Sequence, residues 1–225
     1  YWGNSSHLEN NWSATRNKGL ASMLAVLAQD PDSGIITYGN TNIRHKDKSD
    51  VVIEFLDFYK TNGSDELKYL VFDSKFTNYE NLSKLDDEGI KFVTIRRRGK
   101  NLVDQINNQS KNWKSVRVER AGNKKATLKV YDQTVFLKGY NKNIRQINIT
   151  GHGRIKPAII ITNDFDLKIE KVVRKYTRRW LVEKTISEQV EFFHLNNVSS
   201  SMVIKVDFDL TITILAYNIY RLFAL

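Results

Sequence analysis

The sequence predicts an α/β fold, a mixed sheet flanked by helices that carries an antiparallel β insertion. Three observations predict it. Apolar runs of strand length alternate with amphipathic helical segments through the first hundred residues. A turn-rich, alternating stretch occupies Trp113 to Pro157. Two long helical patterns then close the chain. The division that follows is residues 1–111 as the first part of the core, 112–157 as the β-rich insertion, and 158–225 as the second part of the core.

The first dozen and a half residues are polar and receive no element. Leu20 to Ala28 is small and apolar, and it precedes Pro31-Asp32-Ser33-Gly34, a strong turn signal. With β-branched Ile35-Ile36-Thr37-Tyr38 behind that turn, the segment reads as two antiparallel strands, although the Ala-rich first one also fits a helix by propensity. Ser49 and Asp50 start a helix. Val52, Ile53, Leu56 and Tyr59 or Lys60 give it one apolar face, and Asn62-Gly63 stops it. Leu67 to Phe72 is a nearly continuous apolar run ending at Asp73, the pattern of a strand buried on both faces. Asn78 to Glu88 is a short helix closed by Gly89, and Ile90 to Ile95 is another strand. In the insertion, Ser115 to Glu119, Thr127 to Leu137 and Ile144 to Thr150 are strands, with turns at Gly122-Asn123 and Gly139. Ala158 to Thr162 returns to a buried strand. A long helix is expected from about Asp166 to His194, broken at Asn196 to Ser201. A last helix spans about Asp207 to Phe223.

Bulk properties narrow the function classes. Hydrophobic residues at 41% of 225 supply enough apolar material for a large core. Lys and Arg exceed Asp and Glu by 35 to 25, a net charge of +10. A polyanion such as DNA is the expected partner, because each neutralised phosphate releases a condensed counterion. The chain has no cysteine, which excludes disulfides and thiolate zinc sites. It begins at Tyr1 with no signal-like segment, so it is expected to start inside a longer protein. The apolar stretch Phe208 to Leu225 contains Asp209, Asn218 and Arg221, which favours a buried or half-buried core helix over a membrane span.

Two sets of residues point to chemistry. Asp73 follows a strand expected to be central, and open α/β sheets place ligands beyond their strand ends. Tyr176, Arg179 and Glu183, spaced by three and four, would share one helical face. Either Arg179 simply neutralises an inward Glu183, or Glu183 ligates a metal while Arg179 and Tyr176 hold a DNA phosphate, a task suited to the planar guanidinium. The cations that could track DNA are Lys75, Arg96, Arg97 and Arg98 with Lys100, and Arg174, Lys175, Arg178 and Lys184. Trp180 and Trp113 could stack on bases, with a core role favoured for Trp180. His152 reads as a turn residue. His194 reads as a cap at a helix end, where its charge suits the dipole.

The stretch Tyr176-x2-Arg179-x3-Glu183 resembles the Y-x2-R-x3-E-x6-K signature of bacterial and archaeal insertion-sequence DDE transposases. Ile159 to Asn163 resembles the strand ending in Thr-Asn before the signature helix. Leu70 to Phe76, with Gly89 to Arg97, resembles the surroundings of the family's second catalytic aspartate. The β-rich stretch between Asp73 and Glu183, and the tail from Phe192 through Leu210, are similar as well. The resemblance covers nearly the whole chain. It implies a ribonuclease H-like catalytic domain, with Asp73 and Glu183 as catalytic metal ligands of a two-metal site taking Mg²⁺, for which Mn²⁺ may substitute. It also implies transposon-end and target DNA as partners, a homodimer in the synaptic complex, no membrane, and a prokaryotic cytoplasm near the nucleoid. The family's core begins with three strands and this reading finds two. Its first aspartate sits on the missing one, with Tyr1-Trp2-Gly3 just past it. Glu9 and Asp30 are the nearest acids, and neither stands on a central strand, so the first carboxylate is expected to be absent and the chain alone not to cleave DNA. Val190 stands where the family has Lys, with Lys184 or Lys205 nearby. The alternatives are a catalytically incomplete remnant that only binds DNA, or another ribonuclease H-like nuclease such as a resolvase. The Tyr-Arg-Glu spacing and the β insertion disfavour the resolvase.

Overall fold

A computed structural model of the chain describes residues 8–13, 17–63, 66–108, 112–119, 125–151, 153, 157–194 and 202–224. In chain order the first strands are β1 (Glu9–Ser13), β2 (Lys18–Ser22), β3 (Leu24–Gln29) and β4 (Ile36–Ile43). Then come α1 (Val51–Asn62), β5 (Tyr69–Val71), a 3₁₀ turn (Ser74–Phe76), α2 (Tyr79–Asp87), β6 (Lys91–Ile95) and α3 (Lys100–Asn108). The insertion supplies β7 (Lys114–Glu119), β8 (Lys125–Leu137) and β9 (Lys142–Thr150). The chain ends with β10 (Ala158–Thr162), α4 (Ile169–Thr177), α5 (Trp180–Phe193) and α6 (Val203–Ala224). These elements form two compact units, Ser49–Arg179 in one, and Tyr1–Lys48 with Trp180–Leu225 in the other.

The Ser49–Arg179 unit is a six-stranded mixed sheet in the order β5-β6-β10-β9-β8-β7, with helices on both faces. Among the described residues only β5 and β6 pair in parallel, with Val71 opposite Val93. The expected α/β class holds, a mixed sheet flanked by helices and consistent with the ribonuclease H-like fold. The insertion, read from sequence as a small sheet of its own, instead continues the core sheet. Strand β9 pairs with β10 along its length, Ile160 opposite Ile147.

Period-two alternation assigns the faces. Phe92, Ile144 and Ile161 turn toward α1 and α2 and pack with Val52, Leu56, Leu82 and Leu85. Val93, Ile147, Ile160, Val116 and Val130 turn the other way and pack with Val172 and Val173 of α4. Asn78 caps α2, its side chain accepting from the Glu80 and Asn81 amides, and Gly89 closes the helix at φ 74°. Helix α3 was not anticipated. Its one buried apolar side chain, Ile106, is too little pattern for a periodicity argument.

In the other unit, β3 and β4 form the expected hairpin. Asp30 holds its turn by accepting from the Ser33 amide and hydroxyl at 2.6 and 2.7 Å, and Gly34 supplies the left-handed residue. The segment read as one strand from Leu20 breaks at Met23, because Lys18–Ser22 pairs with β1, a polar strand the sequence did not reveal. Helix α6 lies on β4, with Leu210 and Ile214 beside Gly39, and meets α5 through Tyr217, whose ring stacks edge-on to Phe193. Its polar residues are anchored to the hairpin. Thr41 donates to Asp207 at 2.8 Å, the Asn218 amide pairs with both backbone groups of Ile36, and Arg221 donates to the Ser33 carbonyl. The opposite side of α6, including Phe208, Ile212, Leu215 and Ile219, is exposed, so the helix is half-buried. Among the described residues no helix is long and apolar enough to cross a membrane. The Gly122-Asn123 turn, His152, the break at Asn196 to Ser201, and Tyr1 to Gly3 lie outside the described residues.

Candidate active site

Asp73 stands two residues past β5 as the cap of the 3₁₀ turn. Its Oδ1 accepts from the Ser74 amide at 2.5 Å and from the Ser74 hydroxyl at 3.1 Å. Both bonds fall on that one oxygen, which leaves Oδ2 directed elsewhere. Threonines pin this strand end. The Thr94 hydroxyl donates to the Phe72 carbonyl at 3.0 Å, and the buried Thr77 and Thr94 hydroxyls meet at 2.8 Å. The half-buried carboxylate is therefore fixed at the C-terminal edge of a parallel strand pair.

Tyr69 and Val71 pack toward α4, while Leu70 and Phe72 pack toward α1 and α2. Asp73 keeps extended backbone, φ −75° and ψ 158°, so the alternation carries it to the α4 face. Tyr176 packs against the same apolar cluster, and the Arg179 guanidinium lies 5.7 Å from its ring centroid. Asp73, Tyr176 and Arg179 thus share one face of one unit.

The single helix expected from Asp166 to His194 is two helices. Helix α4 stops at Thr177, and α5 starts at Trp180. The Thr177 hydroxyl donates to the Arg174 carbonyl at 2.9 Å, and the Arg179 amide turns back to the Tyr176 carbonyl, a tightened last turn. Arg174, Lys175, Arg178 and Arg179 crowd this C-terminus, where the helix dipole favours positive charge. Tyr176, Arg179 and Glu183 therefore do not lie on one continuous helical face. Tyr176 and Arg179 belong to the sheet unit, whereas Glu183 is an exposed residue of α5 in the other.

The remaining candidates divide by exposure. Lys75, Arg97, Arg98, Arg178 and Lys184 are exposed. Arg97 donates to the Ser74 carbonyl at 3.4 Å, which ties it to the Asp73 turn, and Arg98 donates to the Pro157 carbonyl at 2.7 Å. Lys184 reaches Glu188 at 3.4 Å. Arg96 turns inward, donating to the fully buried Gln146 at 2.6 Å on the wall of a cavity of about 210 Å³ under α3. Trp180, expected in the core, is 36% exposed, while Trp113 is half-buried against Tyr131. His194 follows α5 at φ 51°, in keeping with a cap. Glu9 accepts from the His45 amide and Asp30 holds its turn, so both acids have local structural work.

Sequence reasoning missed Arg145. It is buried, forks onto Asp132 at 2.8–3.1 Å, and donates to the Asp164, Phe165 and Leu167 carbonyls. This clamps the loop that leads into α4. Only the β8–β9 register could have revealed it, since Asp132 is its diagonal cross-strand neighbour.

Asp73 fits a hard divalent cation, for it is an oxygen ligand at a strand end with one oxygen already oriented by hydrogen bonds. Among the described residues, no group of three or more His, Asp or Glu side chains is placed to hold a metal ion. No curated protein matches the chain. A family model described as a transposase DDE domain matches residues 4–219, nearly its whole length. The chain belongs to the family of transposase DDE domains.

Proposed function

We propose that this chain supplies Asp73 and Glu183 as two ligands of the divalent-cation centre at which a DNA transposase cleaves and transfers strands. The observation that carries the reading is the placement of Asp73 at the end of β5, on the face where Tyr176 of α4 packs, with Arg179 of the following turn beside its ring. When bound, a pair of Mg²⁺ (or Mn²⁺) ions would supply Lewis-acid activation of the attacking and leaving oxygens. Arg179 and Tyr176 orient a backbone phosphate, the guanidinium by its planar fork and the phenol by one hydrogen bond. Lys75, Arg97, Arg98, Arg178 and Lys184 extend a cationic track, Trp180 offers a stacking surface, and Arg96 supports the track from within. Transposon ends and target DNA are the substrates, two copies of the chain form the synaptic complex, and the work is done at the nucleoid of a prokaryotic cytoplasm.

The family's first carboxylate has no counterpart assigned among the described residues. The chain by itself is therefore expected to bind DNA and metal without completing cleavage, which keeps a DNA-binding remnant as the second reading. Incubation of the chain with end-bearing duplex DNA and Mg²⁺ or Mn²⁺ tests both. The expected result is DNA retention without strand cleavage. Cleavage abolished by Asp73→Ala would refute the incompleteness and establish the full enzyme. Failure to bind either DNA or Mn²⁺ would refute the function itself.

A further inference from the structure

The sheet presents two unlike faces across the insertion. Val116, Val118, Leu128 and Val130 turn toward α4 and are buried. The alternate positions Ser115, Arg117, Lys125, Thr127 and Lys129 are exposed, and period-two geometry gathers them on the other face. The register sets Lys129 opposite Ser115, Arg117 opposite Thr127, and Lys125 opposite Glu119. Arg117 is thus the diagonal neighbour of both lysines, at about 7–8 Å.

The charge pattern is not that of an ordinary solvated face. Such faces intersperse both signs, and opposite charges across strands stabilise the sheet. Here Lys125 alone has an acidic cross-strand neighbour. Arg117 faces a threonine, and Lys129 lies between Ser115 and Thr150. Three cations at near-regular spacing, separated by small hydroxyl side chains that can donate to oxygen, suit a run of phosphates. The aromatic pair Trp113 and Tyr131, with ring centroids 6.1 Å apart, stands beside the cations on the same face.

We propose that this face, built on Arg117, Lys125 and Lys129, is a second DNA-backbone contact on the side of the sheet away from Asp73. The inference rests on DNA being the substrate. The contact carries no sequence information, and its work is to hold duplex DNA against the insertion while chemistry proceeds on the other face.

The test is the salt dependence of binding by the whole chain to a 30-base-pair duplex of arbitrary sequence, read by fluorescence anisotropy. Each lost phosphate contact lowers the slope of log K against log salt by about 0.9. The variant Arg117→Ala/Lys125→Ala/Lys129→Ala is expected to lose about 2–3 from that slope and at least tenfold in affinity at 150 mM salt. A control removing three exposed lysines elsewhere, Lys46, Lys60 and Lys138, is expected to keep the slope. The variant Lys125→Arg/Lys129→Arg keeps both charges and should bind as the parent does, which separates lost contact from lost folding. An unchanged slope in the triple alanine variant, or an equal loss in the control, overturns the inference and leaves DNA as substrate standing. A parent chain that does not bind the duplex overturns both.

Discussion

One serine sets how Asp73 presents its carboxylate. Its amide and hydroxyl both bond Oδ1, so Ser74 orients the group while leaving the other oxygen for a cation. Asp73 was legible in the sequence because a strand-length apolar run ends on it. Arg145 was not, because in the string it is one alternating cation among many. Its worth appears only once Asp132 and the loop carbonyls surround it. Arg145→Ala should cost about 3 kcal/mol in urea unfolding, the low end for breaking a buried pair, since Asp132 keeps some exposure. Asn78→Ala should cost about 1 kcal/mol, the usual value of a lost cap. Asp86 gives a pH signature. Burial works to raise its pKa, but hydrogen bonds from Lys142, Asn163 and Tyr140 outweigh that and hold it below the ordinary aspartate value. The native state therefore favours the ionised form. That stabilisation is complete above the ordinary range near pH 4 and is lost as pH falls through the lowered value. Tyr69 has the opposite sign. Burial, then the Asp164 charge, push it up to about 12, so stability declines as pH rises from about 10 toward 12. Thermal unfolding midpoints across pH should show both flanks, and Tyr69→Phe should remove part of the alkaline one.

The elements that the sequence announced are those whose own pattern closes locally. The β3–β4 turn carries Pro31 to Gly34, and α2 has Asn78 at one end and Gly89 at the other. Elements that depend on distant partners were harder to read. Polar β1 exists through pairing with β2. The insertion strands were each found, yet their continuity with β10 is a matter of long-range register that alternation cannot supply. The break between α4 and α5 was hidden because apolar residues keep a helical spacing through it. What ends α4 is a hydroxyl competing for a carbonyl and a tightened turn. This makes a measurable difference. The first amides of α5 have no carbonyl partner within their own helix, so amide exchange should show strong protection at Val172 and Val173 and a dip across Trp180 to Glu183. Uniform protection from Tyr176 through Lys184 would mean one continuous helix.

For the whole molecule, the net charge of +10 pointed to a polyanion before any fold was known, and membership of the transposase DDE domain family agrees with it. The fold class was legible because strand-length and helix-length patterns alternate; of the candidate site, the strand end that carries Asp73 was legible, while the break that parts Tyr176 from Glu183 was not. The sequence could not display the spatial sorting of charge. Arg96 is spent internally on Gln146, while Arg117, Lys125 and Lys129, unremarkable in the string, come together on one exposed face. The proposed shared ligation of one cation by Asp73 and Glu183 is tested most directly by Mn²⁺ binding followed by electron paramagnetic resonance. Asp73→Asn and Glu183→Gln should each weaken Mn²⁺ binding at least tenfold, about 1.4 kcal/mol. The double variant should lose much less than the two losses combined, the mark of shared ligation. Full additivity, or Mn²⁺ affinity untouched by either change, would contradict the account.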